Sequence, residues 1–584
     1  MTRRGRIVGA LVAVAGATGV VIPSAASAHA YLIRTAPAAS GVLNAAPRNV
    51  SLTYDEAVEP RLAIISVTNV DGHQETTGPV RRSAADPDTL VVPLRPGLPE
   101  GWYLIYWRAI SVDGHPVQGA FTYAVGPNPG PAPKFAVPSI SEGATAPNLL
   151  ISRWVMFLSV MVAIGLFAFR FSVARSLPRR VDGTGVRALS IAFVAASIIG
   201  VVAIPVYLDF AIASDSLRSV FDLGALVPLF GVTAFGRGYV DMMLCFALFC
   251  VASWIALYVD RPDRERRSLA ELLAQTGALL AAGAALVLPG VVGHAGQTSP
   301  RGLSVPIDWL HLIAGSVWLG GLVGLLVLWL TVGSTRRVAA LSVVVPRFST
   351  VALGSVALLL ATGTVATIDH MPALDALWDT GYGVAILVKI AILLVAMAVA
   401  AGNLLSTRPR LAAAGGGSGA GNGAKAGRAA GLLRRLVAVE AVLVAGAVFV
   451  AAVLSSLAPP PPAFAKQNAA LASVGPGRVA QTIEHAGYRL QVLVSPNKAA
   501  APDSFALRIT KGGRPVRHAD VTLTFNHTEM QMPQQQYQLA ETRAGVYSRR
   551  APALIMVGKW ALAFTVSPPG GPPFTALILD EADG

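Results

Sequence analysis

Hydrophobic positions along this chain follow two rhythms. Between residues 149 and 457 they run in eight continuous stretches, about 149–170, 188–210, 238–258, 269–292, 308–332, 348–368, 381–403 and 436–457, each near the ~20 residues a helix needs to cross a hydrocarbon core. On either side of this block apolar and polar residues alternate in short runs. The first set covers 50–54, 63–70, 89–94, 102–110 and 117–125, separated by turn signals at Asp71-Gly72, Arg95-Pro96-Gly97 and Asp113-Gly114. The second covers 489–494, 505–510, 521–525 and 560–566. Short strands at such spacing predict antiparallel sandwiches. The expected fold class is a multidomain membrane protein: an N-terminal Ig-like all-β sandwich, an eight-span α-helical transmembrane bundle and a C-terminal all-β sandwich.

The start of the chain carries a different pattern. Arg3, Arg4 and Arg6 precede an apolar core over 7–22 and the small residues Ala26-Ser27-Ala28, which reads as a secretory signal peptide. Cleavage after Ala28 would make His29 the first residue. The expected organisation is signal peptide 1–28, β-sandwich 29–126, Pro-rich linker 127–148, membrane domain 149–457, linker 458–476, β domain 477–568 and tail 569–584. Residues 415–423, rich in Gly, are expected to form a flexible insertion.

Charge sharpens this outline. Only 13% of residues are charged against about 25% in a soluble domain, which excludes one soluble globule. Lys and Arg outnumber Asp and Glu by 46 to 32. Eighteen of the basic residues fall in the loops 170–187, 259–268, 333–347 and 404–435, whereas the alternate loops hold only Arg218, Arg237 and Arg301. This asymmetry predicts the cytoplasmic (inner) membrane, with both β domains extracytoplasmic. It also accounts for the basic balance through the lipid bilayer, without nucleic acid as a partner. Cys245 and Cys250 both lie in an apolar run, so neither a disulfide framework nor a thiol zinc site is expected. No P-loop or Asp-Lys-Thr-Gly segment is present, and no enzymatic activity is expected.

The candidate chemistry concerns a metal. An N-terminal histidine offers an amine and an imidazole to one ion, and Ser111-Val-Asp-Gly-His-Pro116 adds a carboxylate at Asp113 and an imidazole at His115 around the permissive Gly114. Nitrogen and oxygen donors in a tetragonal set suit Cu(II). In the membrane block His294, Asp308, His311, Asp369, His370 and Met371 gather near one side, where ionisable residues are functional candidates. Met242, Met243 and Cys245 enter from that side too, and soft ligands favour Cu(I). Lys389 and Glu440 are placed near the midplane and are expected to pair. In the last domain His527, Met530 and Met532 fall within six positions, with Met556 further on.

Three resemblances follow. His29-Ala-Tyr-Leu-Ile-Arg-Thr-Ala-Pro37, Val50-Ser-Leu-Thr-Tyr-Asp-Glu56 and Ser111-Val-Asp-Gly-His-Pro-Val-Gln-Gly119 resemble the periplasmic copper-binding CopC family, which implies Cu(II) at His29, Asp113 and His115. With no methionine between the mature start and Met156, the Cu(I) site of some members is not expected there. Trp309-Leu-His-Leu-Ile-Ala-Gly-Ser-Val-Trp-Leu-Gly-Gly-Leu322, with Thr362-Gly363, Gly381-Tyr-Gly383, Lys389 and Glu440, resembles the CopD family of copper-transport membrane proteins. Gly545-Val-Tyr547 and Met556-Val-Gly-Lys-Trp560 resemble YtkA-like domains.

The order resembles fused bacterial copper-uptake proteins, and it implies copper acquisition. Cu(II) would be held at the first domain and carried inward past His294, Asp308, His311, His370 and Met371, in part as Cu(I). His527, Met530 and Met532 would form a further copper site. The implied partners are the copper ion, the bilayer and another copper chaperone or reductase. Two alternatives stand beside this reading. One is a membrane electron carrier or cupric reductase with haem on His294, His311 and His370. The other is a copper buffer or sensor without transport.

Overall fold

The computed structural model describes residues 32–37, 42–54, 58–110, 116–129, 147–216, 218–231, 233–297, 300–371, 374–407, 409–410, 420–457, 470–499, 502–527, 535–551, 553–554 and 558–582. Its N-terminal part is a sandwich of two four-stranded sheets. One has the order β1-β3-β6-β5 (Leu32–Ala36, Asn49–Tyr54, Thr89–Pro93 and Arg81–Arg82). The other has the order β2-β8-β7-β4 (Val42–Leu43, Pro116–Val125, Gly101–Ile110 and Ile64–Asn69), with β2 parallel to β8. Val50, Leu52, Tyr54, Val67, Ile105, Trp107 and Phe121 point between the sheets and are buried, as period-two alternation requires. β1, β2 and β5 were not anticipated, because their two to five residues carry too little alternation.

Eight helices among the described residues are long and apolar enough to cross a membrane: α1 (Pro147–Phe169), α2 (Arg187–Ser216), α3 (Ala234–Val259), α4 (Leu269–Val292), α5 (Arg301–Thr331), α6 (Ser334–His370), α7 (Gly381–Gly402) and α8 (Ala420–Leu454). Several begin well before their apolar stretch, since hydropathy reports the hydrocarbon layer whereas backbone hydrogen bonding continues through polar turns. α6 starts at Ser334. α8 takes in Ala420–Gly423, part of the expected flexible insertion. α5 starts at Arg301, which puts Asp308 and His311 two to three turns inside the helix instead of at its opening.

Caps fix several ends. Ser268 and Glu271 form a reciprocal capping box on α4, Thr233 caps α3 and Thr380 caps α7. Ile191, Ile198, Leu244, Leu248, Leu330 and Val442 are exposed along the helices, a surface that suits lipid and not water. Exposed Trp254 and Tyr258 near one end, and Phe221 and Trp378 near the other, mark the two interfaces.

Close approach holds the bundle together. A Cβ on Gly165 of α1 would lie 1.9 Å from the Ser316 carbonyl oxygen of α5, and one on Gly320 would lie 2.3 Å from the Gly165 carbonyl carbon. The two backbones therefore touch, the arrangement small residues permit between membrane helices. At the end remote from the sandwich, Asp260 receives Arg170 Nη1 (2.8 Å) and Arg175 Nε (2.9 Å), and Arg175 Nη2 also meets Glu271 Oε1 (3.1 Å).

The C-terminal part comprises β9 (Ala472–Val474), β10 (Val479–His485), β11 (Tyr488–Ser495), β12 (Asp503–Lys511), β13 (Arg514–Pro515), β14 (Asp520–His527), β15 (Gln535–Arg543), β16 (Val546–Ala551), β17 (Gly558–Ser567) and β18 (Phe574–Ala582). Their order is β10-β11-β12-β16-β15-β14-β17-β18-β9, with β13 on β12. β15 pairs with β14 over 535–539 and with β16 over 540–543, so one strand passes between the two layers and the sheet nearly closes on itself.

Candidate functional site

The copper-ligand candidates His29, Asp113 and His115 lie outside the described residues. The strands that lead to them are described. Leu32, three residues after His29, pairs with Tyr54, and the Tyr54 ring stands edge-on to Trp107 at 5.8 Å. β7 and β8 stay in register up to Ile110 opposite Pro116, so 111–115 connects this hairpin. The beginning of β1 and the end of β7 therefore share one end of the sandwich. Trp107 lies across Gly119, where a Cβ would stand 2.8 Å from its Cζ2. This gives a packing reason for the last glycine of the 111–119 segment. Tyr54 and Trp107 were not singled out from sequence, because their alternation reads as ordinary core.

That same end rests on the helices. β7 is buried on both faces from Trp107 to Ile110, unusual for a sandwich strand with one solvated side. Leu62 and Ile110 join the apolar cluster of the bundle. Arg108 donates from Nη1 to the Asp215 carbonyl at 2.6 Å and from Nη2 to the Ser214 carbonyl at 3.5 Å. These are the last carbonyls of α2, the negative end of its dipole, where a guanidinium is favoured. Replacing Arg108 with Ala takes the guanidinium away from those carbonyls at a cost of about 1–3 kcal/mol. Amide exchange at 60–62 and 212–216 is expected to quicken in Arg108→Ala; an exchange pattern equal to wild type would remove the latch.

Below this contact, polar side chains collect in the neighbouring ends of α5, α6 and α7. His311 Nδ1 and Thr362 Oγ1 are 2.9 Å apart, and the ring passes over Gly363, where a Cβ would sit 3.4 Å from Cε1. Thr362-Gly363 thus makes a seat for the imidazole. Asp308 lies against Gly290, within electrostatic reach of Lys389, His370 and Tyr382. Ser304 Oγ donates to Asp369 Oδ2 at 2.8 Å, and His370 Nδ1 lies 2.7 Å from the Ala366 carbonyl with its ring 6.4 Å from Tyr382. Met371 caps α6 and is half-buried, and His294 opens the one-turn helix His294–Gln297. Met242 is fully buried in the bundle core. Among the described residues, no three His, Cys, Asp or Glu side chains converge at metal-binding distance.

The expected Lys389–Glu440 pair does not form. Glu440 Oε1 accepts from Trp318 Nε1 at 2.8 Å and the carboxylate also bonds Asn403, while Lys389 lies within electrostatic reach of Asp308 and His311. Depth along two helices was the basis of the pairing, and depth does not fix rotation about the axes.

In the C-terminal domain His527 is buried opposite Trp560, the rings 4.9 Å apart. Met530, Met532 and Met556 lie outside the described residues. Gly545-Val-Tyr547 serves the fold. Gly545 takes φ 68°, and the Tyr547 hydroxyl donates to the Val516 carbonyl and accepts from Ala519 N–H, both at 2.9 Å.

Taken together, the two ends and the bundle define an integral membrane protein in which a β-sandwich is docked over polar helix ends. Four family descriptions match the chain: CopC domain at 32–126, Copper resistance protein D-like, N-terminal domain at 144–303, Copper resistance protein D at 342–454 and YtkA-like at 483–565. The first four spans thus have a match of their own, while Asp308, His311 and the 309–322 stretch fall between matched segments. The "Copper transport protein CutJ" of Bacillus subtilis is 26% identical over 93% of this chain and 94% of its own. "Copper resistance protein C" of Pseudomonas syringae pv. tomato is 31% identical over 19% of this chain and 90% of its own. The crystal structure of CopC from Methylosinus trichosporium OB3b covers 18% of this chain and 99% of its own at 28% identity, with a TM-score of 0.16. The chain belongs to the copper resistance and transport family, with CopC, CopD and YtkA-like domains on one polypeptide.

Proposed function

We propose that this protein acquires copper: Cu(II) is captured by the N-terminal sandwich on the extracytoplasmic side and delivered to the bundle, which carries it across the cytoplasmic membrane. The amine and imidazole of His29, with Asp113 and His115, are the ligands of the captured ion. Membership of a copper resistance and transport family supports the cargo. The asymmetry of basic loops supports the sidedness. The observation that carries the reading is the docking itself, since Arg108 and Ile110 bring the end of β7 onto the last turn of α2 and the bundle core. Copper released there stays at high local concentration above the helices.

The inward path begins at Asp308, His311, His370 and Met371, and His294 belongs to it. The His311–Thr362 contact supports a side chain that exchanges a hydroxyl partner for a metal, which suits a transfer point better than a permanent chelate. Tight closed sites hold metal, whereas transport needs ligands that let go. Any further copper at His527, Met530 and Met532 has support only from residue type. Transport in this reading needs no catalytic group on the chain, and reduction to Cu(I) is assigned to another partner.

Cellular copper accumulation at limiting copper tests the proposal. Wild type is expected to exceed His29→Ala, His311→Ala and the deletion strain, with His29→Ala also losing tight Cu(II) binding in titration of the exported domain. Equal accumulation in all four strains overturns import.

A further inference from the structure

The C-terminal domain encloses a second set of donors, made of hard oxygens and independent of the copper path. Asn497 follows β11 at φ 63°, Asp503 opens β12 and Asp580 lies in β18; their exposures are 0%, 0% and 1%. Asn497 links the two acids. Its backbone N–H donates to Asp503 Oδ1 at 2.7 Å, joined there by Lys498 N–H at 3.1 Å. Its side-chain nitrogen donates to Asp580 Oδ1 and the Gly477 carbonyl, both at 2.9 Å, with the Glu581 carbonyl at 3.2 Å.

Three acceptors around one amide nitrogen fix the orientation of that amide, so its oxygen faces away from them. Asn497 Oδ1, Asp503 Oδ2 and Asp580 Oδ2 are then each buried without a hydrogen-bond partner. Buried polar atoms ordinarily have one, and for carboxylate oxygens the shortfall is costly. The positive charge of Arg550 acts on Asp503 through space only. Burial pushes the Asp503 carboxyl up to about 7, with the charge of Asp580 adding to the effect, and pushes Asp580 up to about 6. The bare cluster therefore resists its second negative charge.

We propose that Asp503, Asp580 and Asn497 bind a calcium ion that ties β18 to the β11–β12 turn. Oxygen-only donors suit a hard cation and not Cu(I). Two carboxylates balance its charge, and the three unpartnered oxygens of Asn497, Asp503 and Asp580 are the donors it would take. Magnesium demands near-ideal octahedral geometry and keeps its waters, for which an enclosed, irregular set of donors is poorly suited.

Equilibrium dialysis of the full-length, chelator-stripped protein in detergent against radiolabelled calcium chloride tests this. Wild type should take up one ion per chain, and Asp503→Asn and Asp580→Asn should bind about tenfold more weakly or worse. Calcium should also slow amide exchange at 495–499, 502–503 and 578–582 in wild type, a readout that needs no variant. Failure of wild type to bind calcium, or equal binding by both variants, overturns the site. Cu(II) titration of the same preparations should be unchanged, so the outcome is separate from that of copper capture.

Discussion

Asp260→Ala is expected to destabilise the bundle by about 3–5 kcal/mol, the usual cost of removing one partner from a buried ion pair. Asp260 accepts from two guanidinium groups, and the side chains of Arg170, Arg175, Asp260 and Glu271 are at most 6% exposed. Arg175 is further committed to the carbonyls of Arg261 and Arg264 at 3.1 Å, and Glu271 takes the backbone N–H groups of Arg261 and Ser268, each at 2.6 Å. Removing the carboxylate leaves two positive charges facing each other at the end of α1, with no water to screen them. The Arg175 guanidinium cannot swing out without breaking those backbone contacts, and Arg170 is tied by Nε to the Ser190 hydroxyl at 2.8 Å. The measurement is the fraction of protein remaining folded in detergent after stepwise heating, supported by amide exchange over 258–272. Asp260→Asn, which keeps one acceptor, should fall between alanine and wild type. Melting of Asp260→Ala together with wild type would show that the cluster is decorative.

Gly320→Val should cost about 3 kcal/mol, the upper part of the range for overpacking. The Cβ alone would meet the backbone of Gly165 at 2.3 to 2.5 Å, and backbone atoms cannot rotate away as a flexible side chain can. α1 and α5 would have to separate, loosening Phe169 against Gly324 and the Met161 methyl against Gly315 along the same seam. Gly354→Ala on α6 is the internal control. A Cβ there has nothing within 4 Å, so the substitution should be neutral or gain the few tenths to ~1 kcal/mol of helix propensity that alanine has over glycine. If Gly320→Val and Gly354→Ala behave alike in the same heating assay, direct backbone contact is not what joins the two helices.

These two sites differ in how much of them could be read in advance. Gly320 belongs to the 309–322 stretch, but nothing local specifies that its neighbour is Gly165, which lies 155 positions earlier. In the sequence Arg170 and Arg175 belong to the loop charges on which the expected sidedness rests. Their burial depends on Asp260, about 90 positions on, and its lone pairs are not visible in a charge count. Lys389 and Glu440 show the same limit from the other direction. Both are deep ionisable residues, yet Glu440 accepts from the Trp318 indole and Lys389 lies within electrostatic reach of Asp308. A helix rotated by one residue, about 100°, changes every partner while leaving its hydropathy unchanged. Arg108 reads in the sequence as one polar position in an apolar strand, and its acceptors are carbonyls, which have no residue type to recognise.

What the sequence by itself determined is whatever depends on neighbours along the chain: which segments alternate with period two, which are apolar long enough to leave water, and where Gly, Pro and capping side chains end them. Five of the anticipated N-terminal runs and eight spans coincide with β3, β4, β6, β7, β8 and α1 to α8 for that reason. Only the tertiary structure decided that the end of β7 sits on α2, that His311 rests on Thr362, and that Asn497 bonds both Asp503 and Asp580. Apart from Asn497 and Asp503, six positions apart across one turn, those contacts join groups 51 to 107 positions apart. Their existence depends on how elements rotate, tilt and shift against each other, and those freedoms are settled by packing and by the need to satisfy buried polar groups, not by any local pattern.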